Sequence, residues 1–172
     1  KIVVAQAAQM LRMAGAAPSL AAGAAQAELV LADGSALAKF GAMVEAQGGD
    51  ARLVLDEAYA AQNAPRAAHE RTIVADHDGV IRSIDCLECG LTNVGLGAGR
   101  QRVEDVIDPA AGMIFHAKCG EVVREGQPLV TLRAATPDLL DRGAARVSAA
   151  IDVADPNTLG QLPTLISHLV DK

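Results

Sequence analysis

The chain has 172 residues, a formal net charge of −6 and only 2% aromatic residues. That length allows one substantial core, or a small domain plus a piece of another. An acidic chain without a Lys/Arg cluster excludes broad electrostatic binding to nucleic acid or to an anionic membrane.

Few rings and many alanines mean that close backbone approach must replace large buried side chains, as in helices packed tightly on a sheet. No apolar run is long enough to cross a bilayer. Lys1, an apolar-leaning run and Ala14-Gly15-Ala16 imitate an export signal, but Gln6, Gln9 and Arg12 interrupt the run and leave a helix face instead. A cytoplasmic location is therefore expected. An odd number of cysteines, three, fits reduced thiols better than a disulfide framework. The chain begins with Lys rather than Met, which points to a start inside a longer protein.

Ile2, Val3, Met10, Met13 and several alanines are spaced for a buried helix from Ile2 to Ala14, stopped by Gly15 and Pro18. Ser19 is placed to cap a second helix that runs to about Leu31 and ends at Asp33-Gly34. Ser35 is read as the cap of a third, whose apolar stripe is Leu37, Phe40 and Val44 with Met43 beside it, closed by Gln47-Gly48-Gly49. From Arg52 to Ala68 the pattern weakens and reads as a surface connector, with a domain boundary near Pro65 to Ala68. The first domain is residues 1–66 and the second residues 67–172.

Beyond the boundary the period changes from helical to alternating. Thr72 to Asp76 and Val80 to Ile84 flank Asp78-Gly79, a hairpin signal. Asp85 caps a short helix through Val94, with Glu88 placed to complete a capping box. Met113 to His116, Glu121 to Val123 and Leu129 to Arg133 form β units, turning at Lys118-Cys119-Gly120 and Glu125-Gly126. Thr136-Pro137-Asp138 opens a helix to about Ala149. Ile151 to Ala154 and Leu165 to Val170 are closing strands, the second edged by Pro163. The fold class is α+β: a helical segment, then a hairpin-rich mixed β-sheet domain with two helices.

Cys86 and Cys89 form a C-x-x-C, and His116 and Cys119 an H-x-x-C. Together they offer the four ligands that tetrahedral zinc prefers. The competing reading makes the cysteines small packing residues, on a helix turn and in a β turn. A thioredoxin-like role needs the motif to follow a strand in a βαβ unit, whereas hairpin then helix is expected here. Gly95-Leu96-Gly97-Ala98-Gly99-Arg100 could present amides to a phosphate, with Arg102 adding charge. Against this, the glycines follow a helix end and Glu104, Asp105 and Asp108 come soon after, so turn geometry explains them better. His69, His77 and His168 have no nucleophile partner in any readable arrangement.

Three segments together resemble a known family. Leu96-Gly97-Ala98-Gly99-Arg100, then Glu104-Asp105-Val106-Ile107-Asp108-Pro109-Ala110-Ala111-Gly112, then Gly120 to Leu129 look like the C-terminal domain of thymidine phosphorylases and the related pyrimidine-nucleoside phosphorylases. Asp33-Gly34-Ser35-Ala36-Leu37, Lys39-Phe40 and Met43 to Asp50 resemble the segment that precedes that domain, in the same order. The resemblance implies a large α/β domain and a smaller helical domain closing over a cleft, of which residues 1–66 are the end of the α/β domain and its connector. It implies reversible phosphorolysis of a pyrimidine nucleoside to free base and (deoxy)ribose 1-phosphate, with inorganic phosphate as co-substrate and no cofactor. It also implies a homodimer.

The family's phosphate-binding and base-binding residues lie in its N-terminal portion, which this chain does not match. No catalytic, cofactor-binding or metal-binding residue is therefore carried over. Cys119 departs from the branched apolar residue usual in that turn. The stretch from Gly112 to Arg133 also resembles half of a lipoyl or biotinyl domain in its turn spacing, but no lysine occupies the tip of a matching hairpin. The leading expectation is a C-terminal phosphorylase fragment, inactive alone and partnered by the missing N-terminal part. The alternative is a free-standing binding module derived from that domain.

Overall fold

Residues 1–155 and 157 are described by a computed structural model, and they divide between Ala64 and Pro65 into two units. The first consists of helices α1 (Ile2–Met13), α2 (Leu20–Ala32), α3 (Ser35–Ala46), α4 (Arg52–Leu55) and α5 (Glu57–Asn63). Ser19 caps α2 as expected, its hydroxyl accepting from Ala22 N at 3.2 Å. Ser35 is not a cap: it is the first residue of α3, and Asp33 Oδ1 accepts from its N–H at 2.8 Å.

Small residues bring these helices together. A Cβ on Gly23 would lie 2.8 Å from the carbonyl oxygen of Ala8, so α1 and α2 meet backbone to backbone. Among the described residues of this unit the buried apolar ones are Ala8, Ala17, Ala27 and Ala51. The expected burial of α1 is not found: Ile2, Val3, Met10 and Met13 are exposed, and so are Leu37, Phe40 and Met43 of the α3 stripe. The expected connector after Arg52 contains two short helices. Asp56 starts the second of them, accepting from Tyr59 N at 3.0 Å.

The second unit carries β1 (His69–Val74), β2 (Gly79–Ile84), α6 (Cys86–Asn93), β3 (Gly112–Phe115), β4 (Val122–Val123), β5 (Pro128–Ala134), α7 (Pro137–Ala150) and β6 (Ile151–Ala154). The strands make two three-stranded sheets, ordered β1-β5-β3 and β4-β2-β6, with every pairing antiparallel. The α+β class is as expected, but the hairpins are not. β1 and β2 lie on either side of Asp78, Gly79 being the first residue of β2, yet they belong to different sheets, and β4 leaves β3 and β5 to pair with β2.

Gly79 explains the first difference. A Cβ there would sit 2.6 Å from Val153 Cγ1 and 2.7 Å from the Ala154 carbonyl oxygen. The glycine serves the close approach of β6, and no positive φ of a hairpin turn is found at Asp78 or Gly79. The turns predicted at Lys118-Cys119-Gly120 and Glu125-Gly126 do form, closed by Glu121 N to Lys118 O and Gln127 N to Arg124 O. They hand the chain from one sheet to the other.

The core lies around the central strand β5 and under α7. Leu132, Val130, Ile81, Val123, Leu96 and Val147 are its largest fully buried side chains. Along α7 the buried positions Leu140, Gly143, Val147 and Ala150 recur at helical spacing, giving the stripe that packs inward. The expected strand from Leu165 to Val170 lies outside the described residues, as does His168.

Candidate functional site

A cavity of about 440 Å³ opens where the end of α6 and the glycine run meet α7; its lining includes Thr92, Gly95, Gly97, Gly99, Gln101, Asp105, Arg142 and Arg146. The glycine run has a structural origin. After Asn93 the helix widens into a π-helical turn, Val94–Ala98, and Gly97 adopts φ 107°, open to glycine but strained for other residues. That kink buries Leu96, and α7 can lie against it because position 143 has no side chain: a Cβ on Gly143 would be 2.9 Å from Leu96 Cδ2.

The phosphate reading of this run does not fit its hydrogen bonding. Asp105 Oδ2 accepts from the backbone N–H of Gln101 at 2.9 Å and of Arg102 at 2.8 Å. An internal carboxylate thus occupies an amide pair that an anion would need. Arg100 and Arg102 are outside the cavity lining. The guanidiniums that do reach it come from α7. Arg142 Nε donates to Asp138 O at 3.3 Å, and Arg146 Nε donates to Glu88 Oε1 at 2.5 Å. The Arg146 hydrogen bond holds the Glu88 carboxyl below its ordinary range. Glu88 is therefore not the second half of a capping box: Asp85 Oδ1 accepts from Glu88 N at 3.0 Å, while the Glu88 carboxylate crosses to α7. One turn on, Thr92 is 2% exposed and its hydroxyl oxygen has no hydrogen-bond partner.

The zinc candidates do not converge. Among the described residues no three His, Cys, Asp or Glu side chains gather as a metal-holding group. Cys89 is buried, and Cys86 and Cys119 are exposed. His116 is engaged elsewhere, its Nε2 2.8 Å from Thr131 Oγ1, which in turn lies 3.0 Å from Thr72 Oγ1. This chain of polar groups was missed in the sequence because it depends on the β1–β5 register, which pairs Thr72 with Thr131. It brings a hydroxyl to an imidazole, but no carboxylate is recorded on the imidazole's other nitrogen, as a catalytic triad requires. His77 pairs with Asp76 through Nδ1 at 2.6 Å and with the Val153 carbonyl through Nε2 at 3.2 Å. His69 opens β1.

Residues 80–154, which hold the cavity and the glycine run, match a family model described as the pyrimidine nucleoside phosphorylase C-terminal domain. Over 99% of its length the chain is 35% identical to a pyrimidine-nucleoside phosphorylase of Bacillus subtilis. A pyrimidine-nucleoside phosphorylase of Staphylococcus haemolyticus is 31% identical over 99% of the chain, and a thymidine phosphorylase of Sinorhizobium medicae 33% identical over 99%. Over nearly its whole length the chain is thus similar to pyrimidine-nucleoside and thymidine phosphorylases. It covers 37% of the Bacillus and Staphylococcus proteins and 38% of the Sinorhizobium one.

The cations and donors of the site are taken up by internal partners. Of the two cavity arginines, Arg146 is engaged by Glu88 and Arg142 by a backbone carbonyl, and the amide pair is filled by Asp105. The site's glycines are those of a turn that delivers Leu96 to the core.

Proposed function

We propose that this chain is the C-terminal portion of an enzyme that carries out reversible phosphorolysis of thymidine or another pyrimidine nucleoside, giving free base and (deoxy)ribose 1-phosphate. The observation that carries the reading is the alignment: nearly the whole chain matches its relatives, and it covers little more than a third of them. In this reading residues 1–66 end the α/β catalytic domain, and residues 67–172 form the C-terminal α+β domain that supports it. Phosphate and base are held by groups in the preceding portion, which is the chain's first partner. The exposed apolar residues of α1 and α3 pack on that portion. The whole enzyme is a cytoplasmic homodimer with inorganic phosphate as co-substrate and no cofactor.

The test follows release of thymine from thymidine, and of uracil from uridine, in phosphate buffer. The chain alone should give no turnover, and the chain joined to the upstream sequence of its reading frame should turn over one or both. Turnover by the chain alone overturns the division of labour proposed here. A start codon immediately before Lys1, with no phosphorylase sequence upstream, makes it a binding module instead.

A further inference from the structure

The C-x-x-C of α6 is unused by the phosphorylase reading, and the fold places it where the sequence expects, after a strand and at the start of a helix. β2 ends at Ile84, Asp85 caps the helix, and Cys86 is its first residue, so the motif sits directly at a strand-to-helix junction. Among the described residues no βαβ unit surrounds it, because β2 pairs antiparallel with both β4 and β6, so the setting differs from the thioredoxin one and the argument rests on the two thiols and the cavity they share. Cys86 and Cys89 lie one turn apart on one helix face. Cys86 is exposed and Cys89 is 6% exposed. Both line one cavity of about 420 Å³ with Gly90, Asn93, Met113 and Phe115. The thiols are close enough to affect each other: the Cys89 thiol is pushed up by burial first, and then by Cys86, Asp85 and Glu88.

We propose that Cys86 and Cys89 form a thiol–disulfide exchange site for a low-molecular-weight disulfide, with Cys86 as the attacking thiol and Cys89 as the resolving one. The roles follow from exposure, because attack requires access to the incoming disulfide and resolution requires only the neighbouring sulfur. Cys86 as thiolate attacks one sulfur of R–S–S–R. The Cys86–S–S–R bond forms, and R–S⁻ leaves and takes up a proton. Cys89, deprotonated, then attacks Cys86 Sγ and expels the second R–S⁻. In sum, two protein thiols lose two electrons and two protons, and R–S–S–R is reduced to two R–SH.

The shared cavity has room for the R group of the mixed disulfide. Closing the bond also has a local consequence. Side chains one helical turn apart have Cβ atoms about 5–6 Å apart, and a disulfide draws them to about 4 Å. The first turn of α6 must tighten, and that turn carries Glu88, the partner of Arg146.

Cys119, exposed and on a different turn, is the internal control. The experiment equilibrates the full chain in mixtures of reduced and oxidised glutathione, quenches with acid, alkylates the remaining thiols and maps the peptides. The expected result is joint loss of alkylation at Cys86 and Cys89, with a link between them, in mixtures where Cys119 is still alkylated. Cys89→Ser should accumulate glutathione on Cys86, and Cys119→Ser should leave the link unchanged. The proposal is overturned if Cys86 and Cys89 remain alkylatable in mixtures that already modify Cys119, or if Cys89→Ser takes no adduct at Cys86. The wild-type map decides the matter even where a variant folds poorly, and neither outcome depends on phosphorolysis.

Discussion

The two units fill their interiors by opposite means. In the sheet unit β5 and α7 bury Leu129, Val130, Leu132, Leu140 and Val147, whereas among the described residues of the helical unit the buried apolar residues are four alanines, and most large apolar side chains of α1 and α3 are exposed. Burial of a Leu or Val removes several methylenes from water, each contributing about 0.8 kcal/mol, while an alanine offers one methyl. The sheet unit thus has its own hydrophobic driving force. The helical unit has close backbone packing and an exposed apolar surface.

Truncation of one large side chain in each unit should give the largest contrast. Leu132→Ala, at a position with 0% exposure, should lower stability by about 2–5 kcal/mol, with loss of both transfer energy and packing. Phe40→Ala, at 45% exposure, should cost well under half as much and should reduce binding of an apolar dye or self-association. Urea unfolding followed by circular dichroism, with dye binding and sedimentation on the same samples, measures both. Equal losses at the two positions would mean that Phe40 is covered in solution.

The contact between α1 and α2 should come next in size. Gly23→Ala places a Cβ 2.8 Å from a backbone oxygen of Ala8 and 3.0 Å from its Cα. The gain in helix propensity is about 1 kcal/mol, and overpacking against backbone costs about 1–3 kcal/mol. The clash should win, because a main chain cannot rotate aside as a leucine tip can. At Gly143 the added Cβ meets the end of the Leu96 side chain at 2.9 Å, so Gly143→Ala should be better tolerated. Midpoints of thermal unfolding for the two variants test the order, and the reverse order would mean that α1 yields more readily than Leu96.

Much of this was legible locally. Ser19 and Asp85 are caps where the sequence puts them, and the stripe of α7 follows from its spacing. The short helix after Asp56 was missed although its signal is present, an Asp followed by Glu57, because the Ala/Gln run behind it has no apolar stripe. Strand partners were not legible. Asp78-Gly79 has hairpin composition, but its glycine answers to Val153 and Ala154, more than seventy residues away. The same limit applied to the site. The ring nitrogen that could have joined Cys119 on zinc instead meets Thr131, and the amides that could have held phosphate meet Asp105, both through tertiary placement rather than spacing.

The smallest effect concerns charge, again with one example in each unit. The Arg52 guanidinium beside Asp50 holds that carboxyl far below its ordinary range, and Arg146 holds Glu88 below its ordinary value of 4.5. A carboxyl whose folded pKa is depressed adds stability above its unfolded pKa, and that contribution is lost as pH falls through the folded one. The two pairs differ in span. Asp50 and Arg52 are two residues apart, whereas Glu88 and Arg146 are 58 apart and meet only when α6 packs on α7. A pair that close in sequence stays near in the unfolded chain and shifts both states, so it contributes little to the difference between them. Arg146→Met should therefore shrink the loss of stability on acidification below pH 4.5, and Arg52→Met should change it less. Urea midpoints at neutral and acid pH, with a carboxyl titration of Glu88 by NMR, read both quantities. An unchanged Glu88 titration in Arg146→Met would mean that the pair does not hold in solution, leaving the α6–α7 contact to packing such as that of Thr92 against Gly143.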